Sequence, residues 1–380
     1  MGPAMHRRDF IRVLGGSAVF AAAGCAPGGP DPRAAWDHPG AGERDIRRKA
    51  LAWAILAPNP HNMQPWIVDL SVPDTITLFI DRTRLLPVTD PFNRQITIGC
   101  GAFLELLMMA LAVQGQAATA ELFPDGEPQP LLDDRPLFRV RIARATTTPD
   151  PLFTQVLQRR TNREAYLDKP VTVAAAAALR ASVPEGAIAL TVETAPARVA
   201  LLRDLVYQGG VTEAHTPAAH QESVARTFIG AGDVAAHPWG ISLDSPMMTA
   251  LNAAGVLTKA KMATPGTIAY DEALKYLKTG ADTAQGFIWM TTPDNSRASQ
   301  ILAGRAYVRA NLAAAGQGLA MQPWSQGLQE YATQKPLFDR LHRELAPGGG
   351  RIQMLSRIGY PKAELRPAPR RGLAAQLKAG

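Results

Sequence analysis

The chain has 380 residues, with a hydrophobic share of 46% and a charged share of 19%, the profile of a soluble globular protein long enough for one large domain or two fused ones. A net charge of +7 raises nucleic acid as a partner, but the arginines are dispersed and no nucleic-acid module is present, so the surplus suits a small anionic ligand and no nucleic acid. Two cysteines, Cys25 and Cys100, exclude a disulfide scaffold and a four-cysteine metal site.

Residues 6–12 read His-Arg-Arg-Asp-Phe-Ile-Arg, close to the twin-arginine export pattern. The apolar run Val13–Ala23 spans roughly 18 Å as a helix, too short for a hydrocarbon core of about 30 Å, and reads as the core of a signal peptide. It ends Ala-Ala-Gly-Cys, so residues 1–25 are expected to be a signal, with Cys25 as a possible site of lipidation and the only route to a membrane. The reading is therefore a periplasmic protein or a membrane-anchored lipoprotein. Residues 26–42, rich in Gly and Pro, are expected to be a flexible leader.

An amphipathic run, Arg44–Leu56, leads into Ala57-Pro-Asn-Pro-His-Asn-Met-Gln-Pro-Trp66. Pro58 and Pro60 stop the helix, because proline lacks an amide donor and restricts the residue before it. The turn then displays Asn59, His61, Asn62 and Gln64, which on chemistry alone fits a binding loop and an ordinary helix-to-strand connection equally well. Ile67–Leu70 and Thr75–Asp81 are predicted as a hairpin, Gln95–Gln114 as a long buried helix ended by Gly115, and Leu137–Ala143 as a strand. Cys100 falls within the apolar helix as a small buried hydrophobe.

Arg159-Arg160-Thr161-Asn162-Arg163 is the second candidate segment. On a helix Arg159 and Arg163 share a face, and guanidinium forks match phosphate geometry. A solvated basic face is the alternative, and its like-charge cost of about 0.2–0.5 kcal/mol does not exclude it. Residues 208–283 show turn breaks and little periodicity, the pattern of a lid or a partly disordered excursion, and a lid is the favoured reading. His215, His220 and His237 fall there without metal-ligand spacing. Gln285–Thr291 is predicted as a strand, Ser296–Gly316 as a helix capped by Ser296, and Gln353–Tyr360 as a closing strand. Gly101–Gly115 and Gly304–Gly316 are both Gly-started, Ala- and Leu-rich runs that lead to Gly-Gln, which suggests an internal repeat.

The decapeptide at Ala57–Trp66 resembles the A-P-S-x-H/N-N-x-Q-P-W signature of the FMN-dependent nitroreductase family, with Asn59 in the place of Ser. R-R-T-N-R resembles that family's R-R-S-x-R segment, with Thr161 in the place of Ser. Their reversed order resembles the Acg-type branch, in which two nitroreductase-like halves are fused. The resemblance implies an α+β fold, with a first half at 43–145, a second half at 146–380, and each mainly antiparallel sheet wrapped by helices, as a monomeric pseudo-dimer. It implies FMN as cofactor, with Pro58, Asn59, His61, Asn62 and Gln64 beside the ring system and Arg159, Arg160, Thr161, Asn162 and Arg163 at the phosphate and ribityl chain. Pro323, Trp324, Ser325 and Gln326 are then expected over the far edge of the flavin, and Arg357 near the phosphate; Arg370 and Arg371 are further candidates. No catalytic side chain and no metal are implied, because the flavin carries the chemistry. The implied activity is two-electron transfer to or from a small molecule such as a nitro compound or quinone. The alternatives are a flavin-sequestering protein with a closed site, and a flavin-free remnant used for binding.

Overall fold

The computed structural model describes residues 31–145, 147–184, 186 and 188–378. The export pattern, the apolar run and Cys25 lie outside the described residues. Helix α1 (Ile46–Ala54) starts at Asp45, whose carboxylate accepts the Arg47 amide proton, and gives way to the proline-rich loop. Strands β1 (Trp66–Asp69) and β2 (Thr75–Ile80) pair as the predicted hairpin, Trp66 opposite Ile80. Helix α2 (Arg94–Val113) follows, then β3 (Gln116–Leu122) and β4 (Phe138–Arg144).

The second part opens with α3 (Val173–Ala181) and β5 (Ala189–Glu193). A helical excursion comes next: α4 (Pro196–His215), α5 (Pro217–Ala225), β6 (Thr227–Ile229), α6 (Ala231–Ala236), β7 (Ile241–Leu243), α7 (Pro246–Ala253), α8 (Lys259–Ala263) and α9 (Ile268–Asp282). The chain then returns through β8 (Gly286–Thr292), α10 (Arg297–Gly316), β9 (Ala320–Pro323), α11 (Lys335–Leu345) and β10 (Arg351–Gly359). The stretch 208–283 is thus ordered and mostly helical. Several of its helices are short, but Ser245, Thr258 and Thr267 each cap one by accepting an amide proton three residues on.

Two four-stranded sheets carry the architecture, in orders β1-β2-β4-β3 and β5-β8-β10-β9. Each therefore runs first, second, fourth, third, every pair antiparallel, with a 20-residue helix between its second and third strands. Those helices, α2 and α10, cross at the centre of the molecule. A Cβ on Gly101 would collide with the Ile301 carbonyl, and one on Gly304 with the Ile98 carbonyl, so only glycine permits the approach. The contact is reciprocal at a constant spacing in sequence, which is the signature of a two-fold-related pair. Arg94 and Arg297 obey the same relation: Arg94 reaches the Leu328 and Gln353 carbonyls of the second half, Arg297 the Phe92 and Pro130 carbonyls of the first. The fold is α+β with two repeated halves, as expected.

All of β10 except Arg351 is buried, since both faces of its sheet are covered. Met354 and Ile358 pack toward Ala303 and Tyr307 of α10, and Ile352 and Leu355 toward Leu205 of α4 and Leu341 of α11. Helix α2 is long and apolar enough to span a bilayer, but 83% of its most apolar window is buried inside the protein, where it serves as core.

Candidate functional site

Between α1 and β1 the chain makes one short turn, Pro60–Asn62, with His61, Asn62 and Gln64 all in the left-handed region at φ 48°, 53° and 50°. Three such non-glycine residues persist only where surrounding contacts over-determine the backbone. Here Asn59 Oδ1 accepts the Gln64 amide at 2.7 Å while its Nδ2 donates to the Ala57 carbonyl. The buried Gln64 amide group donates to the Pro238 carbonyl and accepts the Arg371 amide. Arg370 completes the frame, donating to the carbonyls of Ile55, Leu56 and Ala57 and, at 2.8 Å, to Asn62 Oδ1.

The arginine segment is not the helix assumed from its spacing. After Gln158 it runs extended beside β9, with Thr161 bridged to Met321 and the Asn162 amide donating to the Met321 carbonyl at 3.0 Å. Tertiary pairing overrides the local preference, and Arg159 and Arg163 both line the cavity from extended backbone instead of sharing a helix face.

Loop and segment meet at one cavity of about 760 Å³, within the usual range of roughly 300–1,000 Å³ for a small-molecule site. Pro58, Asn59 and Asn62 line it from the loop, and Arg159, Arg160, Thr161 and Arg163 from the segment. Arg33 and Trp36 line it too, so the described part of the expected flexible leader is built into the wall: Ala34–Trp36 is a helical turn and Trp36 is buried. The tail adds Glu364–Ala368 and Arg370. The excursion closes the opposite side with Met248, Leu251, Val256, Leu257, Met262 and Ile268.

Other predicted positions lie outside the wall. His61 turns to α5, its Nε2 3.1 Å from Ser223 Oγ, which donates to Glu213. Gln64 and Asn162 are buried as supports. Pro323 closes β9, Trp324 packs in the core against Gly280 and Arg357, Ser325 is buried, and Gln326 starts a short turn, so none of the four reaches the cavity. Arg357 is fully buried and spends its guanidinium on Gln322 and the carbonyls of Gly280, Asn162 and Glu164. It fastens the arginine segment to β9 and α9 and offers the cavity nothing. Arg33 and Trp36 escaped the sequence reading; a lone Trp in a Gly/Pro-rich leader was their one signal.

Electrostatically, the cavity is rich in arginine, with Glu164, Asp244, Glu272 and Glu364 also on its wall. Its ion pairs are Arg33 and Arg366 with Asp244, and Lys275 with Glu272; Arg159, Arg160, Arg163 and Arg370 take part in none of them. Arg160 is bonded to the Leu157, Arg159 and Leu365 carbonyls, and Arg159 to the Leu56 carbonyl at 3.2 Å, leaving its buried Nε without a partner. Burial brings the Arg159 guanidinium down to about 10. Burial, then the neighbouring Arg159 and Arg160, holds that of Arg370 well below its ordinary value. Burial also lowers Arg163, whose exposed surface faces the cavity. Burial followed by Arg163 and Arg226 depresses His61 to about 4, so it is neutral at neutral pH. An anion entering here would meet Arg159, Arg160 and Arg163, none of which is in an ion pair among the described residues.

No family profile matches the chain. It is 28% identical over 339 residues to a Mycobacterium tuberculosis protein named "Putative NAD(P)H nitroreductase Rv3131", covering 86% of this chain and 89% of that one. A second protein of that organism, named likewise with the suffix acg, is 31% identical over 134 residues, 33% of this chain and 37% of the other. Among solved structures, the FMN-dependent nitroreductase NfnB from Mycobacterium smegmatis, in complex with NADPH, overlays with TM-score 0.36 and 16% identity on 60% of this chain and 96% of that one. A nitroreductase with bound FMN from Bacteroides fragilis does so with TM-score 0.34 and 13% identity, on 57% and 92%. Both signature segments line one cavity, and similarity to the protein named "Putative NAD(P)H nitroreductase Rv3131" runs along most of the chain.

Proposed function

We propose that the protein is an exported FMN-dependent oxidoreductase of the Acg-type branch, moving two electrons to or from a small organic molecule. One observation carries the cofactor reading: Arg159, only 3% exposed, keeps an unpartnered Nε beside Arg160 and Arg370, none of the three in an ion pair among the described residues, on the wall of a cavity of ligand size. Buried donors of this kind are rarely left unsatisfied, and a phosphate would satisfy them. Arg159, Arg160 and Arg163 would hold the phosphate, with the hydrogen-bonded Arg370 adding positive charge behind them, and the Pro58–Asn62 loop would flank the ring system. When bound, the flavin supplies two-electron transfer. The protein's share is positioning, charge and the exclusion of water by the apolar wall from Met248 to Ile268.

The relative's name carries NAD(P)H, and a nicotinamide is accordingly the first donor to try. Export through residues 6–12 would place the protein away from that pool and favour another donor. The roofing of the cavity by the excursion supports a second reading, a flavin-sequestering protein without turnover. An absorption spectrum of the purified chain tests the cofactor: a flavin band that survives gel filtration is expected, and a colourless protein that takes up no FMN would overturn the proposal. Dithionite reduction followed by a nitrofuran then separates the readings. Prompt reoxidation is the enzyme's result, and persistently reduced flavin is the sequestering protein's.

A further inference from the structure

The arginine cluster raises a physical problem that the motifs leave open: what keeps buried guanidinium groups together before any anion arrives. Carboxylates would do so at the expense of the charge the site needs. The structure uses an aromatic face. Trp36 lies with its ring centroid 5.7 Å from the Arg159 guanidinium carbon, 5.2 Å from that of Arg160 and 5.2 Å from that of Arg370. An indole attracts cations through its quadrupole while carrying no net charge, and the attraction grows as water is excluded. Trp36 is 6% exposed, so water is largely excluded.

The ring is itself fixed. Its Nε1 donates to the Ala368 carbonyl at 2.9 Å. Three residues earlier, Arg33 pairs with Asp244 at 2.8 Å and donates to the Pro367 carbonyl at 2.7 Å. The Arg370 amide donates to the Pro32 carbonyl. The leader thus ties tail, excursion and arginine segment together at the cavity's cationic end. The orphaned Nε of Arg159 is an independent sign that a donor is held ready there.

We infer that Trp36 is a positioning residue for the anion end of the cavity: its ring, packed also on the hydrogen-bonded Arg370, holds Arg159 and Arg160 in register while leaving their charge available to a cofactor phosphate. The inference rests on the flavin reading above and extends it to a residue of the leader.

The test compares FMN with riboflavin, which lacks the phosphate, by equilibrium titration of the full chain and of Trp36→Leu and Trp36→Phe. The wild type is expected to prefer FMN strongly. Trp36→Leu should weaken FMN about tenfold or more while changing riboflavin by less than about twofold, and should flatten the salt dependence of FMN binding. Trp36→Phe keeps a ring face and should lose only about two- to fivefold of the preference. An unchanged FMN-to-riboflavin ratio in Trp36→Leu overturns the inference, as does an equal loss of both ligands, which would mean a collapsed wall. Should Trp36→Leu fail to fold, an unchanged ratio in Trp36→Phe overturns it alone. A wild type that binds neither flavin refutes the cofactor reading itself, an outcome distinct from these.

Discussion

Arg297 and Arg159 are buried to nearly the same degree, 1% and 3% exposed, yet the fold treats their guanidinium groups in opposite ways. Arg297 donates to the Phe92, Pro128 and Pro130 carbonyls and to Gln300, so it is saturated and ties one half to the other. Its counterpart Arg94 does the same in reverse, with Glu330 added. Arg159 has one bond to a carbonyl and an idle Nε. A saturated buried cation is scaffold; one left short of partners on the wall of a ligand-sized cavity has a donor free for a partner from outside.

The largest expected effect separates the two kinds directly. Replacing Arg159 and Arg163 together by methionine should weaken FMN binding by roughly 3–6 kcal/mol, from two charge-assisted contacts of about 1.5–3 kcal/mol each. The flavin-free chain should unfold at the same temperature or higher, because an uncompensated buried charge is removed. Flavin titration and a thermal melt check both halves of this expectation, and an unchanged FMN affinity would dissolve the contrast. Arg297→Met should behave inversely. Orphaning several carbonyls should destabilise the fold by about 3 kcal/mol, while FMN affinity of the folded fraction stays within about twofold. Denaturant unfolding reads the first quantity.

Smaller effects sharpen the picture of the scaffold. Gly304→Ala, pressing on the Ile98 carbonyl, should cost about 1–3 kcal/mol, with a loss of similar size for Gly101→Ala at the reciprocal position. A large cost at one site and none at the other would break the two-fold relation of α2 and α10. The smallest effect is a pH dependence. His61 is held near 4 in the folded chain against 6.5 unperturbed, so the unfolded state binds its proton first as the solution is acidified. Its contribution to stability is complete above about pH 6.5 and is lost as pH falls toward 4. His61→Gln should flatten the stability profile across that window; an identical slope in the variant would assign the dependence to other groups.

Much of this was legible in the sequence where local signals agree with the global fold. The hairpin, α2, α10 with its Ser296 cap, and β10 follow from periodicity and capping. Both halves of the cavity were marked by their motifs, down to Asn62 and Arg159. The rest depended on contacts distant in sequence. Arg159–Arg163 has helical spacing, but pairing with Met321 draws it out into extended backbone. Arg357 has the composition of an anion ligand, and only its neighbours show it saturated. Trp36 sits in a stretch whose Gly and Pro content reads as a linker, although its docking on Ala368 orders it. In 208–283 the missed signal was present: Ser245, Thr258 and Thr267 before short apolar runs are caps that announce the helices they start.

The central claim is that the Ala57–Trp66 loop and the Arg159–Arg163 segment serve a single ligand, and amide hydrogen exchange with and without FMN addresses it most directly. Saturating FMN should slow exchange in both segments together, with little change at the α2–α10 crossing. Protection of only one segment, or of neither while the flavin is bound, would contradict it.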